Sequence, residues 1–464
     1  MSEYSRPQSE QEFEQNFKQK KPLMNQTEAF TESSRCLFCY DAPCMHACPT
    51  HIDIPLFIKQ IHTGNVDGAA ETIYDMNWMG NACGKVCPTQ VLCEGACVLN
   101  HAHVKPIEIG RLQNFATHKV IKSNKQLYKK SQPNGKKVAI IGAGPAGISC
   151  ACELCVLGYA VDIYETNYKP SGLTVHGTAP YKITNDEALK EIDYLQNQLG
   201  FNIHYGQTID TDEQLRDLEA QYGAIFLGVG IGPTAPLRLP GETLDNVIGA
   251  VEFVHALRFK KHHIQVPKTV VVLGGGNTAM DAASEAARMG AEQVYLAYRR
   301  SKAEMGAYYF EYDLAISVGV NSVFNTSPKE ILGQEQATGV KFVKTQLVDG
   351  QLVEIPGSEF IIPCDLVIKA TGQAKMAAML QGINGVTLDA SKRIVVHPTT
   401  YQTGNPQYFA GGDAVNGGAE VVNGAYDGKQ AARGIHQYLI MNYELFADLD
   451  LTISLQNCYY GKQK

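Results

Sequence analysis

The sequence predicts an α/β protein with a helical, cysteine-rich N-terminal domain followed by two Rossmann-like dinucleotide-binding domains, the second inserted into the first. Eight of the 13 cysteines fall between Cys36 and Cys97, where strand signals are scarce. A pattern of buried strand, glycine-rich turn, helix and second strand begins at Lys137 and recurs at Thr269. Two such βαβ units in one chain imply two nucleotide-binding domains.

Composition limits the class of protein. The 464 residues are 44% hydrophobic and 19% charged, as in ordinary globular proteins of several domains. A net charge of −7 argues against a general nucleic-acid binder. The polar N-terminus is not a secretory signal, and the longest uncharged apolar run, 138–152, is too short to span a bilayer. We therefore expect a cytoplasmic protein, in which cysteines more often bind metal or do redox work than form disulfides.

Shifts in composition predict the domain boundaries. Residues 1–35 are interpreted as a polar leader followed by a short helix, and the amphipathic stretches 54–62 and 67–75 as helices between cysteine loops. The polar linker 123–137 marks the end of this domain. Four segments are predicted. Residues 1–131 form the cysteine domain and 132–232 the first part of the first dinucleotide domain. Residues 233–362 form the inserted dinucleotide domain, and 363–464 the rest of the first domain with a C-terminal helix or tail.

The first glycine-rich turn has the spacing of a dinucleotide fingerprint. In Gly142-x-Gly144-x-x-Gly147 the first glycine permits the turn, the second admits the pyrophosphate, and the third lets helix and strand pack closely. The phosphates would lie at the helix N-terminus, where free N–H groups favour an anion. Glu165 ends the next strand, where a carboxylate can accept hydrogen bonds from ribose hydroxyls. A glycine-rich turn of some other α/β domain is the alternative.

A second motif indicates which dinucleotide binds there. Residues 403–413, Thr-x4-Tyr-Phe-Ala-Gly-Gly-Asp, resemble the C-terminal FAD motif of two-dinucleotide-binding flavoproteins, in which the aspartate bonds the ribityl chain and the next helix points its N-terminus at the flavin. Residues 420–425 would open that helix, and a plain turn aspartate is the alternative. The candidate FAD residues are Gly142, Gly144, Ala146, Gly147, Glu165, Gly172, Leu173, Gly412, Asp413, Val421 and Val422.

The second glycine-rich turn lies between the two halves of the FAD domain, where such flavoproteins carry an NAD(P)H domain. Its next strand ends in Arg299-Arg300 and not in an acid, so the local chemistry favours a 2′-phosphate and hence NADPH. The alternative is that both arginines are solvated and the cofactor is NADH. Residues 370–373 resemble the segment that returns the chain to the FAD domain. The candidate NAD(P)H residues are Gly274, Gly276, Asn277, Thr278, Ala279, Arg299, Arg300, Ala370, Thr371 and Gly372.

The cysteine segment contains two runs, each with a Cys-Pro pair: residues 36–49 and residues 83–97. Four thiolates per 4Fe–4S cluster is the usual number, so eight cysteines suggest two clusters. Structural zinc is the alternative, weakened by the repeated Cys-Pro and by the flavin domain downstream. Cys150, Cys152 and Cys155 lie on the first Rossmann helix, where we expect packing residues and not a redox dithiol.

The order of these motifs resembles the small subunit of glutamate synthase and its relatives over about residues 30–440. Finer details resemble the N-terminal half of dihydropyrimidine dehydrogenase and its separate PreT-type bacterial subunits. These details are the segments 35–39, 41–44, 48–53, 68–73, 87–93 and 109–113. Glutamate synthase small subunits have a shorter Cys-Pro-Ala-Pro-Cys in place of 87–93 and lack the glutamine of 109–113.

The resemblance implies a ligand set that a count of cysteines does not give. One cluster would be bound by Cys36, Cys39, Cys44 and Cys97, and the other by Cys48, Cys87, Cys93 and Gln113. Cys83 would then bind no iron. The alternative for Gln113 is an ordinary polar helix residue.

The resemblance also implies a function. The chain would be the electron-input subunit of a dihydropyrimidine dehydrogenase: it would oxidise NADH or NADPH through FAD and pass electrons through two 4Fe–4S clusters to a partner subunit. That partner would contain FMN and iron–sulfur clusters and reduce uracil or thymine. A small subunit of glutamate synthase, or a related reductase, is the second hypothesis, and a zinc-binding scaffold is the third. No catalytic side chain is predicted, because the cofactors carry the hydride transfer. The isolated bacterial subunits use NADH, so the choice of nicotinamide cofactor stays open.

Overall fold

The computed structural model describes residues 4–375, 380 and 382–444. Residues 445–464 of the predicted fourth segment lie outside the described residues. The described helices, with two 3-10 turns at Thr89–Val91 and Val98–Ala102 among the cysteines, are in chain order α1 Glu10–Asn16, α2 Gln26–Ser34, α3 Pro43–His46, α4 Ile54–His62, α5 Val66–Met76, α6 Gly80–Val86, α7 Ile109–Ser123, α8 Pro145–Val156, α9 Leu173–His176, α10 Asn185–Leu199, α11 Asp212–Gln221, α12 Ala250–Lys260, α13 Asn277–Arg288, α14 Tyr309–Ser317, α15 Asp413–Asn416 and α16 Val421–Glu444. No helix in this part of the chain combines the length and the apolarity needed to cross a bilayer.

The described strands form two parallel sheets and one antiparallel sheet. They are β1 Lys137–Ile141, β2 Ala160–Glu165, β3 Asn202–Tyr205, β4 Ala224–Leu227, β5 Val247–Gly249, β6 Thr269–Leu273, β7 Gln293–Ala297, β8 Val320–Val323, β9 Thr326–Gly333, β10 Ala337–Val348, β11 Gln351–Glu354, β12 Phe360–Pro363, β13 Leu366–Lys369 and β14 Tyr408–Ala410.

The first parallel sheet has the order β14-β4-β1-β2-β3, which places β1 at its centre. Strands β1 and β4 are apolar almost throughout because helices cover both faces of the sheet. Helix α16 packs along α8, so the segment after the closing motif returns to the first βαβ unit. The predicted α/β fold with a cysteine domain of helices is confirmed.

The second parallel sheet has the order β5-β13-β6-β7-β8. Strand β13 pairs with both β5 and β6, whereas the predicted boundary after residue 362 assigned it to the flavin domain. The prediction was wrong here because β13 follows the antiparallel strand β12 with no linker, and only its pairing shows which sheet it joins. The chain leaves the second sheet after Lys369.

The first residues also differ from the prediction. Residues 4–17 were assigned to the cysteine domain, yet Phe13 and Phe17 stack at 4.4 Å between ring centroids within the core of the second sheet. The Asn16 amide donates to the Arg288 carbonyl oxygen over 2.7 Å, and the Arg288 guanidinium lies over the Tyr4 ring. We call residues 4–21 the N-terminal arm. Two apolar residues in a polar stretch carry no signal for the domain that will bury them.

Helix α4 shows how local sequence sets an element that was predicted to the residue. The Asp53 carboxylate accepts from the Leu56 N–H over 3.0 Å and so caps the helix N-terminus. Its apolar residues Ile54, Phe57, Ile58 and Ile61 recur at helical spacing and are buried. The cap and the apolar stripe both lie within the segment, which is why the sequence sufficed.

Candidate active site

A cavity of about 520 Å³ lies where the two parallel sheets meet the cysteine domain. Residues of both glycine-rich turns line it. The predicted FAD residues that line it are Gly142, Gly144, Ala146, Glu165, Gly172, Leu173, Gly412, Asp413 and Val421, and the predicted NAD(P)H residues are Asn277 and Thr278. The predicted residues outside its lining are Gly147, Val422, Gly274, Gly276, Ala279, Arg299, Arg300, Ala370, Thr371 and Gly372.

The first glycine-rich turn has the shape of a phosphate cradle. Gly142 has a φ of +103°, which favours glycine. A Cβ at Gly147 would collide with the Gly142 carbonyl oxygen, so this glycine allows the close packing of helix and strand. A Cβ at Gly144 would have only one atom within 4.0 Å, so the space above it is open. No side chain caps α8, which leaves its first N–H groups free for an anion.

Two acids border the same cavity. Glu165 is 7% exposed, and its carboxylate accepts from the backbone N–H groups of Ala143 and Asn167, each over 2.8 Å. Asp413 accepts from the Ala419 N–H over 3.1 Å, and burial raises its pKa. Helix α16 begins at Val421, one residue after the predicted start of the opening helix. Both acids therefore lie where the sequence predicted a dinucleotide.

The second glycine-rich turn opens toward the cavity from the second sheet. Helix α13 also begins without a side-chain cap, and no atom lies within 4 Å of a Cβ built on Gly276. The Asn277 side chain instead accepts from the Tyr308 N–H over 2.9 Å. Arg299 is exposed and Arg300 half-buried after the end of β7.

The cavity wall contains a cluster of charged residues, Lys182, Asp281 and Glu311, that the sequence analysis did not predict. The Lys182 ammonium lies 2.8 Å from both an Asp281 and a Glu311 carboxylate oxygen, and the Tyr181 hydroxyl donates to Asp281 over 2.6 Å. Burial alone would lower the pKa of Lys182, but the two carboxylates raise it, so it stays charged. Asp281 lies one turn after Asn277 on α13, and this spacing was the one feature of the sequence that could have indicated a place for Asp281 in the cavity wall. Lys182 belongs to no motif.

Another buried acid joins the flavin domain to the cysteine domain. Glu191 on α10 is fully buried and accepts from the backbone N–H groups of Asn81 and Ala82 over 2.6 and 2.9 Å. Both N–H groups belong to the first turn of α6, which ends at the second cysteine group. Burial raises the pKa of Glu191 to about 7.

The first cysteine group converges on one small space. A cavity of about 30 Å³ is lined by Cys36, Cys39, Cys44 and Cys97. Burial raises the pKa of the Cys44 thiol to about 12, and the charges of the other three cysteines are among the remaining contributions. Buried thiolates are costly without a cation, and four of them around one cavity fit an iron–sulfur cluster.

The second cysteine group lies beside the large cavity. Burial raises the pKa of Cys93, with further contributions from Glu94, Cys48 and Cys87. A hydrogen bond with Cys83, followed by burial, raises the pKa of Cys87. Val86 and Pro88, the neighbours of Cys87 in the chain, line the 520 Å³ cavity together with residues of both glycine-rich turns.

The Gln113 amide on α7 is held in a defined orientation against the start of α6. The residue is 7% exposed, and its Nε2 donates to the Gly80 carbonyl oxygen over 2.7 Å. Among the described residues, Oε1 accepts no hydrogen bond. Also within that part of the chain, no three His, Cys, Asp or Glu side chains converge on a single metal ion. A four-iron cluster distributes its ligands over four iron atoms, so its ligands need not converge in this way.

The three cysteines of the first Rossmann helix are packing residues, as predicted. Cys150 and Cys152 are fully buried and Cys155 is 8% exposed, all within the core between α8 and its neighbours. Burial raises the pKa of Cys155 to about 12, which suppresses the thiolate that redox chemistry needs.

Two parts of the chain match known families. Residues 13–125 match the family described as dihydropyrimidine dehydrogenase domain II, 4Fe-4S cluster. Residues 136–428 match the pyridine nucleotide-disulphide oxidoreductase family. The zinc-scaffold hypothesis is wrong, because the matched N-terminal family is a 4Fe–4S family.

Two relatives cover nearly the whole chain. The NAD-dependent dihydropyrimidine dehydrogenase subunit PreT of Salmonella typhimurium is 34% identical over 411 residues, which are 89% of this chain and 94% of that protein. The glutamate synthase [NADPH] small chain of Escherichia coli strain K12 is 33% identical over 434 residues, 89% of this chain and 92% of that protein.

Solved structures share the fold of the flavin and nucleotide domains. Mycobacterium tuberculosis FprA in complex with NADPH has a TM-score of 0.56 at 20% identity and covers 69% of this chain and 87% of its own. Thioredoxin reductase of T. acidophilum has a TM-score of 0.52 at 22% identity, covering 66% and 99%. The predicted cofactor classes, FAD, 4Fe–4S clusters and NAD(P)H, are confirmed by these families. The chain therefore belongs to the pyridine nucleotide-disulphide oxidoreductase family, in the group that carries a dihydropyrimidine dehydrogenase 4Fe–4S domain, and is an NAD(P)H-dependent oxidoreductase.

Proposed function

We propose that this chain is the electron-input subunit of a dihydropyrimidine dehydrogenase. One observation carries the proposal: Val86 and Pro88, on either side of Cys87, line the same cavity as Gly144 and Asn277. A flavin in this cavity would thus have the nicotinamide site on one side and an iron–sulfur ligand on the other. That arrangement suits electron transfer from a two-electron donor to one-electron carriers.

Each cofactor has residues that would bind it. The open turn at Gly144 and the uncapped start of α8 would bind the FAD pyrophosphate, Glu165 its ribose and Asp413 its ribityl chain. The uncapped start of α13 would bind the NAD(P)H pyrophosphate in the same way. When bound, FAD accepts a hydride from the nicotinamide, and the clusters accept electrons singly.

The side chains around the cavity would position the cofactors. The Tyr308 hydroxyl donates to Glu420 over 2.9 Å and so joins the nucleotide domain to the segment before α16. The Lys182, Asp281 and Glu311 group keeps a positive charge in the wall, balanced by two carboxylates. Fixed groups of this kind align two cofactors at no reorganisation cost during the reaction.

We infer the cluster ligands from the family resemblance together with the placement of the thiols. Cys36, Cys39, Cys44 and Cys97 share one cavity and would bind the first cluster. Cys48, Cys87 and Cys93 would bind the second, with Gln113 as the fourth ligand through its free Oε1. Cys83 would stay a thiol hydrogen-bonded to Cys87.

The relatives support a choice of partner and substrate for this proposal. The N-terminal family match and the length of the 87–93 segment favour a pyrimidine-reducing partner, one with FMN and iron–sulfur clusters that converts uracil or thymine to the 5,6-dihydro form. The second candidate is the small subunit of a glutamate synthase, supported by the 33% identity to the Escherichia coli chain. Arg299 and Arg300 favour NADPH, whereas the PreT relatives are NAD-dependent by name.

Anaerobic titration tests the proposal. NADH and NADPH are added separately to the purified protein, and we expect one of them to bleach the flavin and then the broad cluster absorption. Uracil turnover is then measured with a co-expressed FMN pyrimidine-reducing subunit, and glutamine-dependent glutamate formation with a glutamate synthase large subunit. Failure of both nucleotides to bleach the flavin would refute the electron-input role, and activity only with the large subunit would favour the second candidate.

A further inference from the structure

The N-terminal arm ends at Lys21, beside the second cysteine group. The Lys21 ammonium donates to the Cys87 carbonyl oxygen over 2.9 Å. The Lys21 carbonyl oxygen in turn accepts from the Lys85 ammonium over 2.8 Å, and Lys85 is a buried residue of α6. These two bonds hold Lys21 against the end of the helix that leads into Cys87.

The arm leaves Lys21 little freedom to move. The backbone N–H of Lys20 donates to the Tyr181 carbonyl oxygen over 2.9 Å. Three residues before Lys20, Phe17 is buried in the core of the nucleotide domain and stacks with the Tyr181 ring. The lysine therefore reaches the cysteine group from an anchor on another domain.

The Lys21 ammonium has no carboxylate within ion-pair distance among the described residues, although the Glu94 carboxylate accepts from the nearby Gly110 N–H over 3.0 Å. The neighbouring Lys85 ammonium pairs with Glu187 over 3.1 Å, but Lys21 forms no ion pair with any described residue. Its ammonium also lies against the start of α7, since a Cβ on Gly110 would be 3.4 Å from it. Gln113 follows one turn later on the same helix. A single positive charge thus lies between the carbonyl of Cys87 and the helix that carries Gln113.

We propose that Lys21 is a positioning residue that raises the reduction potential of the iron–sulfur cluster at the second cysteine group. The proposal rests on the ligand set of Cys48, Cys87, Cys93 and Gln113 given under the proposed function. Reduction adds a negative charge to a cluster, and a fixed nearby cation stabilises that charge. Hydrogen bonds and charge around a cluster are established determinants of its potential.

Potentiometric titration followed by EPR tests the proposal on the full chain with its cofactors, under anaerobic conditions. In Lys21→Met the charge is removed at similar volume. We expect the one-electron equilibrium of one cluster to shift roughly tenfold toward the oxidised form, the size expected for a unit charge within about 10 Å at an effective dielectric near 20. Tenfold is about 59 mV for a one-electron couple. The other cluster should keep its potential.

Two variants serve as controls. Lys21→Arg keeps the charge and should keep the potential, and Lys18→Met removes an exposed lysine of the same arm and should change neither cluster. If Lys21→Met shifts neither cluster, or both equally, the proposal is wrong. If Lys21→Met and Lys21→Gln both lose iron while Lys21→Arg retains it, the role is structural and the proposal is also wrong. A wild-type protein with one cluster signal would instead refute the ligand sets and, with them, this proposal.

Discussion

Removal of the Lys182 ammonium should destabilise the protein by about 3 kcal/mol. The side chains of Lys182, Asp281 and Glu311 are only 11–15% exposed, and both carboxylates lie 2.8 Å from the ammonium. Removing one partner of a buried ion pair costs about 3–5 kcal/mol, because the remaining charge is left without compensation. Since the group borders a cavity that admits water, we expect the lower end of this range for Lys182→Met.

The loss of stability in Lys182→Met should depend on pH. Burial raises the pKa of Glu311, and Lys182 opposes this effect, so the pKa should rise further in Lys182→Met. A carboxyl group whose pKa is raised on folding stabilises the protein at low pH and loses that contribution as pH rises through the folded pKa. The variant should therefore be closest to wild type at about pH 5.5 and furthest from it at about pH 8.

The assay is urea unfolding of the flavin-loaded protein, followed by circular dichroism and flavin fluorescence at both pH values. The matched control is Lys190→Met, which removes an exposed lysine 2.7 Å from Asp186 and should leave the free energy of unfolding nearly unchanged, because solvent screens an exposed pair. Equal losses for the two variants at pH 8, or a larger loss at low pH, would refute the account of this charged group.

Three further predictions concern other residues. In the wild type, the free energy of unfolding should fall by roughly 3 kcal/mol as pH rises from 4.5 to about 7, because folding raises the pKa of Glu191. Glu191→Gln should abolish this fall. An unchanged pH dependence of the free energy of unfolding in the variant would contradict the prediction. Gly276→Ala should fold normally but bind NAD(P)H roughly tenfold or more weakly by fluorescence titration, because its Cβ enters open space above the turn. Gly274→Ala should instead lower the melting temperature, since its Cβ meets backbone. Cys83→Ala should retain both cluster EPR signals and all iron, whereas Gln113→Ala should alter one signal; the reverse result would make Cys83 the ligand.

The elements that the sequence predicted well are those whose cause is local. The first strands of both βαβ units begin at Lys137 and Thr269, the residues where the sequence predicted the start of each repeated pattern. A buried strand needs an apolar run, and a dinucleotide turn needs glycines at fixed spacing, and both are visible within ten residues of chain. Helices α8 and α13 begin inside the glycine motifs, at Pro145 and Asn277, so the first turn of each helix overlaps its motif.

The candidate site was predicted in part for the same reason. The motif residues Gly142, Gly144, Asp413 and Asn277 do line one cavity. The residues that sequence reasoning missed, such as Lys182 and Glu311, lie 129 positions apart and meet only because the two sheets face each other. Charged residues far apart in the chain carry no pattern that indicates their partners.

By itself, then, the sequence determined the two dinucleotide units, the cysteine runs and the family, because glycine conformations, apolar periodicity and short spacings act over a few residues. Only the tertiary structure decided that β13 joins the second sheet, that the N-terminal arm packs on the nucleotide domain, and that Val86 and Pro88, on either side of Cys87, line the cavity of both glycine-rich turns. Those outcomes depend on which surfaces bury each other when the domains pack, and burial between distant segments leaves no local trace in the chain.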